Sequence, residues 1–311
     1  MRNVFIRMGV SVALLSLLFF LIDWNAFIRH IVAANPFLLF IGGLHVFSGV
    51  FISTLRWKKV LDFSKILVDR KSAFRLYLEG VFFSNFLPTS FGGDAYRFLA
   101  LARRFPLQKS EIASSIIFER GIGFIALFIA NIVISVIYFD LIRSSALLFG
   151  IEICIFIGFA LVLALYYLRD QIDSVLNRGT KHTLLNKLAF FFRTMIGYQR
   201  PSLLISTLSY SLLFLLNNTI GYFLFLYAFG VEVSFFYVLF VMTVTQIVGV
   251  IPISFNSFGL FEGTSVILYG LVGVDPATIF AAILVGRIIV MLMTSIGGFA
   301  YFFTQKKPQH I

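Results

Sequence analysis

The segment Asn85-Phe-Leu-Pro-Thr-Ser-Phe-Gly-Gly-Asp-Ala-Tyr-Arg97 lies between apolar runs, yet it holds a proline, two glycines, hydroxyls and a charged pair. Hydrocarbon offers no hydrogen bonds to an interrupted backbone. Such a segment is tolerated at membrane depth only where protein buries it or it lines a wet cavity. Pro88 interrupts a helix, Gly92 and Gly93 let the chain turn, and Asp94 and Arg97 stand one helical turn apart. An ordinary loop between two helices is the plainer reading of this stretch taken alone.

Composition makes the bilayer the relevant solvent. The 311 residues are 59% hydrophobic and 13% charged, against about 25% charged in soluble domains; the mean hydropathy is +0.97. The net charge of +11 sits on Lys and Arg in short loops between apolar runs. That distribution follows the positive-inside rule and argues against nucleic acid as a partner. Cys154 is the single cysteine, and His30, His45, His182 and His310 are scattered. No metal-ligand spacing is present, and neither a metal nor a cofactor is expected.

Apolar runs at residues 8–22, 37–55, 112–139, 146–168, 203–229 and 279–303 read as six crossings. The first reads as a helix rather than a signal peptide, because no small-residue cleavage site follows it. Arg56, Lys58 and Lys59 place the loop after the second crossing in the cytoplasm, and with it both termini; residues 23–35 form an external loop. The run 74–86 is too short to cross, and basic residues flank it on both sides, so it reads as a hairpin entering from the cytoplasm. Residues 235–274 read as a second hairpin from the opposite face. Residues 169–201 form a polar cytoplasmic loop, of which 184–196 suits an amphipathic helix on the anionic inner leaflet. The expected fold is an all-α polytopic membrane protein: one transmembrane domain of six crossings and two re-entrant hairpins.

The hairpins share a pattern. Leu87-Pro-Thr-Ser-Phe-Gly-Gly-Asp94 and Ile251-Pro-Ile-Ser-Phe-Asn-Ser-Phe-Gly-Leu-Phe-Glu262 each give an apolar residue, Pro88 or Pro252, then Ser-Phe, glycine and an acid. Each is followed by a span with an arginine inside it: 32 residues separate Pro88 from Arg120, and 35 separate Pro252 from Arg287. With the opposite entry faces, this reads as an inverted repeat of halves 1–145 and 146–311, a design that places substrate at the repeat interface.

Charges within hydrocarbon cost on the order of 3 kcal/mol or more and usually face a bundle interior. Arg120 and Arg287 each lie nine or so residues into a span, about 12 Å deep. Two readings stand side by side. Asp94 with Arg120 and Glu262 with Arg287 are ion pairs that hold the hairpins, or the arginines grip an anionic headgroup phosphate through their forked donors. Candidate substrate-binding residues are Asn85, Ser90, Asp94, Arg97, Glu119, Arg120, Ser254, Asn256, Glu262 and Arg287; Pro88, Gly92, Gly93, Pro252 and Gly259 are the backbone hinges. Glu79 joins the set of charges. His45, Asn131, Asn217, Asn218 and Gln246 suit interhelical hydrogen bonds, and Gly297-Gly298 suits close packing.

These three motifs, Asn85 to Arg97, Ala113-Ser-Ser-Ile-Ile-Phe-Glu-Arg-Gly-Ile-Gly123 and Ile251 to Glu262, resemble the lysylphosphatidylglycerol synthase transmembrane family over roughly residues 7–303. The family often has Asp-Arg where this chain has Glu119-Arg120. The resemblance implies a phospholipid-flipping association and a bacterial inner-membrane location. Its two-domain members carry a soluble aminoacyl-transfer domain, for which 311 residues leave no room, so synthase activity is not expected. The leading expectation is a translocator of an anionic or polyprenyl-linked lipid. An accessory subunit that partners a lipid-biosynthetic enzyme is the alternative, and a lipid-linked transferase a third. No nucleotide-binding motif supports the last.

Overall fold

The computed structural model describes residues 2–86, 91–168, 197–198, 200–251 and 253–305. Pro88, Ser90, Pro252 and the expected amphipathic segment 184–196 lie outside the described residues. Among those described, every regular element is helical. The helices are α1 (Arg2–Leu21), α2 (Trp24–Ala33), α3 (Pro36–Phe63), α4 (Arg70–Phe86), α5 (Gly92–Arg104), α6 (Lys109–Ile137), α7 (Phe139–Ser144), α8 (Ala146–Tyr167), α9 (Pro201–Ala228), α10 (Phe235–Gly249), α11 (Leu260–Gly270), α12 (Pro276–Thr294) and α13 (Ile296–Gln305).

Several starts follow from one local rule. A cap side chain accepts an orphan backbone N–H, and proline fills the first helical position, where no donor is needed. Asn35 Oδ1 accepts from Phe37 N at 3.0 Å ahead of Pro36, and Asp275 Oδ2 accepts from Thr278 N at 2.9 Å ahead of Pro276. Asp23 caps α2 in the same way, without a proline. Residues 23–35, expected as a loop, are therefore mostly helix, and α2 turns 92° from α1.

By length and composition four segments can cross a membrane: Pro36–Phe63, Lys109–Ile137, Pro201–Ala228 and Pro276–Phe303; the bent pair Met8–Phe20 and Trp24–Ala33 makes a fifth if it is one span. The apolar part of α8, Ala146–Leu161, is shorter than the about 20 residues a straight crossing needs. The second crossing is longer than expected. α3 continues past residue 55 to Phe63, with Arg56 and Trp57 buried rather than looped out, because Arg56 finds a carboxylate partner inside the protein.

α3 and α9 form the central pair. Small residues let their backbones approach: Gly42 faces Phe225, Gly49 faces Asn217 and Phe214, and Gly221 faces the His45 ring. Asn217 bridges them, accepting from Ser48 Oγ at 2.6 Å and donating to His45 O at 2.9 Å. The His45 ring itself hydrogen-bonds Gly42 O in its own helix. Its link to α9 is thus packing, not the interhelical bond expected, since Gly221 offers space and no acceptor there.

Two helical hairpins pack on this pair, α4 with α5 and α10 with α11. In the first, a Cβ on Gly93 would stand 2.1 Å from Gly80 O, so the helices cross at backbone contact. The Gly93 N–H donates to Ser84 Oγ at 3.1 Å. In the second, the turn holds Asn256 and Ser257 at φ 45° and 59° and Gly259 at φ 83°. A Cβ on Gly259 would meet Leu14 Cβ at 2.4 Å, so α1 seals that tip; Ser11 Oγ there accepts from Phe255 N at 2.7 Å. Gly297 and Gly298 do serve close packing, against Leu78 O and Phe82 of α4.

Gly93→Ala should destabilise the protein by about 1–3 kcal/mol, the range for overpacking, because the atom it strikes is backbone. Gly150→Ala, with no neighbour within 4 Å, should leave the melting temperature unchanged or slightly raised. Thermal melts of the two variants in detergent compare them directly.

Candidate functional site

Asp94 lies in the first turn of α5, where a carboxylate also suits the positive end of the helix dipole. Arg97, one turn on, donates to Asp94 Oδ1 at 2.6 Å and to Glu119 Oε2 of α6 at 2.7 Å. Glu119 Oε1 accepts in turn from Arg56 Nη2 of α3 and from the Tyr77 hydroxyl of α4, both at 2.8 Å. Arg120 Nε closes the chain on Asp94 Oδ2 at 2.6 Å. Charges alternate from Arg56 through Glu119, Arg97 and Asp94 to Arg120. The Arg97 guanidinium also lies 4.6 Å from the Trp57 ring and 4.4 Å from the Tyr77 ring, within cation–π range of both.

The second hairpin repeats the motif more sparingly. Glu262 is fully buried; its Oε1 accepts from Arg287 Nη1 at 2.7 Å and its Oε2 from Gly259 N at 2.7 Å. One carboxylate thus caps α11 and holds α12. Arg287 also donates to Asn256 O in the tip and lies 3.7 Å over the Phe258 ring. In both halves an acid in the hairpin's second helix binds an arginine on the next helix, 26 residues later for Asp94 and 25 for Glu262.

Between the hairpins lies a cavity of about 510 Å³, within the usual range for small-ligand sites. The first hairpin brings Ser84, Asn85 and Phe91 to its wall, and the second brings Asn256, Ser257 and Phe261. Arg56, Glu119, Arg120 and Arg287 also line it. The Arg120 side chain is 41% exposed there, against 5% for Arg97 and 12% for Arg287. Among the described residues Arg56 Nε and Gln246 Nε2 are buried donors without a hydrogen-bond partner. In the combined network of those residues four arginines face three carboxylates, an excess of one positive charge.

Of the residues singled out from sequence, Asn85, Glu119, Arg120, Asn256 and Arg287 reach the cavity. Asn85 Nδ2 also donates to Thr294 Oγ1 of α12 at 2.7 Å. Asp94, Arg97 and Glu262 are placed behind its wall as ion-pair partners, and buried Ser254 does not line it. Each of the three charged groups is bonded to an internal partner. Glu79 lies elsewhere, accepting from the Tyr96 hydroxyl and 3.7 Å from Arg75 Nε. Arg56, Tyr77, Ser84 and Gln246 were not identified as site residues. For Arg56 the available signal is Val60-Leu61, apolar positions that resume one helical turn after it. Among the described residues no group of three or more His, Cys, Asp or Glu is placed to hold a metal.

A helical membrane protein with two broken hairpins around a basic cavity is the class these features define. The family model for the lysylphosphatidylglycerol synthase TM region matches residues 4–298, and the chain belongs to that family. It is also similar to a UPF0104 membrane protein of Methanothermobacter thermautotrophicus, 26% identical over 287 residues that cover 86% of this chain and 85% of the relative.

The buried and exposed arginines should respond differently to substitution. Arg97→Met and Glu119→Gln each strip a partner from a buried charge, which costs about 3–5 kcal/mol, and combining them should cost less than the sum of the two. Arg120→Ala, at a side chain 41% exposed, should cost less, because Asp94 keeps Arg97 as a partner. Thermal unfolding of the four variants tests the order.

Proposed function

We propose that the central cavity binds the anionic headgroup of a membrane lipid and that the protein moves this lipid between leaflets. The observation that carries the reading is the convergence on one headgroup-sized cavity of Arg56, Arg120 and Arg287, in a network whose arginines outnumber its carboxylates by one among the described residues. An anion such as a phosphodiester balances that excess charge. Arginine suits it, because its planar fork meets two phosphate oxygens at once.

In this reading the protein acts by transport rather than by synthesis, and α1 and α8 complete six crossings with both termini in the cytoplasm. The hairpins re-enter from opposite faces as halves of an inverted repeat. The matching acid-to-arginine bonds, Asp94 to Arg120 and Glu262 to Arg287, support that arrangement. The carboxylates are then placeholders: a phosphate arriving at Arg120 or Arg287 competes with Asp94 or Glu262, and the released hairpin tip moves. Opposed tips give the two gates that alternating access requires.

The test is leaflet exchange of fluorescent phosphatidylglycerol in liposomes carrying purified protein, read with an impermeant quencher. Arg120→Ala and Arg287→Ala, each confirmed folded, should slow exchange about tenfold or more. Losing a charge-assisted hydrogen bond worth about 1.5–3 kcal/mol sets that scale. Gly150→Ala should match the wild type. No protein-dependent exchange of any anionic or polyprenyl lipid would overturn transport and favour an accessory subunit of a lipid-biosynthetic enzyme.

A further inference from the structure

A second buried polar cluster lies outside the central cavity, between α6 and α8. Glu152, six residues into α8, is 3% exposed. Its Oε1 accepts from Asn131 Nδ2 at 3.2 Å, and its Oε2 from Ser135 Oγ at 3.2 Å. Asn131 and Ser135 are four residues apart and so share one face of α6. Asn131 is fully buried, yet its Oδ1 has no hydrogen-bond partner among the described residues.

We propose that Glu152 is a proton-exchange site. Asp94, Glu119 and Glu262 each bind an arginine, a positively charged group that only donates. Glu152 has only neutral partners among the described residues. An ionised carboxylate removed from water costs heavily when nothing positive compensates it. Its partners are also of a kind that serves both forms. A serine hydroxyl donates to a carboxylate or accepts from a carboxylic acid, and an asparagine amide does the same by turning over. The unpartnered Oδ1 is the acceptor that a turned Asn131 would present to the neutral acid.

The ionisable groups on the surrounding elements do not compete. Asp140 and Arg143 of α7 are exposed, as is Cys154 on α8 itself. Tyr138, between α6 and α7, and Tyr237 of α10 belong to the surrounding apolar cluster, and the Tyr237 hydroxyl is committed to Leu268 O. Glu152 is about 9 Å from the start of α8, the end next to α7. On the same helix as Asn131, Glu119 and Arg120 lie about 16–18 Å away.

The inference does not rest on the transport reading, and its test needs no lipid exchange. Infrared difference spectra of the purified full chain in nanodiscs, recorded between mildly alkaline and mildly acidic buffer, report protonated carboxyl groups. Wild type should gain a carboxylic-acid band on acidification. Glu152→Gln should lose it, Glu152→Asp should shift its frequency, and Ser135→Ala should move its midpoint. Should the Gln variant fail to fold, the shifts in the Asp and Ala variants carry the assignment. An unchanged difference spectrum in folded Glu152→Gln would overturn the proposal, as would a Glu152 band that ignores pH. Loss of the band on adding sodium at constant pH would identify a sodium site instead and also overturn it.

Discussion

Glu119 is a single carboxylate with 2% of its side chain exposed, and three elements besides its own depend on it. Arg56 of α3, Arg97 of α5 and Tyr77 of α4 all donate to its two oxygens. In water each bond would be replaced easily. In a bundle interior such replacement is costly, and losing the acid would leave buried Arg56 without its carboxylate and Arg97 with Asp94 alone. The first hairpin is therefore fixed against α3 and α6 by charge as much as by its apolar packing around Trp57, Leu61, Leu101 and Ile112. Position matters too: the network forms one wall of the cavity, so the rigidity it gives α6 also orients Arg120.

The two hairpins are held unequally. Asp94 belongs to a chain of five charges and is protected by both Arg97 and Arg120. Glu262 has one arginine and one backbone N–H. Breaking the Glu262–Arg287 bond strands a single pair, whereas moving Asp94 disturbs partners that also answer to Glu119. The second tip carries three positive-φ residues, Asn256, Ser257 and Gly259. Non-glycine residues in that region are strained and persist only where the surroundings enforce them. Arg287 on Asn256 O and α1 on Gly259 supply that enforcement.

What the sequence made legible were contrasts with an apolar background. Proline, glycine and acid inside apolar runs marked both hairpins, and Arg120 and Arg287 stood out as charges within spans. Their acid partners followed from spacing. Arg56 was hidden because a basic residue beside Lys58 and Lys59 looks like the end of a span; only its burial against Glu119 and Ser211 distinguishes it. Residues 23–35 contain Arg29 and His30 and look like a loop, yet the Asp23 cap and packing on α12 make them a helix. The contributions of α9 and α10 to the cavity, including Gln246, depend on how distant helices pack, and no local pattern encodes that. Glu152 was not singled out either, for it stands alone in an apolar run with no neighbouring motif.

The buried acids differ less in burial than in the chemistry of their partners. An arginine has no acceptor and stays charged, so it offers a carboxylate donors alone, and Asp94, Glu119 and Glu262 each bond one. Serine and asparagine can donate or accept, and among the described residues they are the partners of Glu152. The same residue type therefore stands in two settings in one chain, against arginines around the cavity and against neutral groups between α6 and α8. α6 is common to both, carrying Glu119 and Arg120 on one stretch and Asn131 and Ser135 further along. A shift in how α6 packs on α8 would be felt at the cavity wall through a helix whose backbone bonds leave little slack.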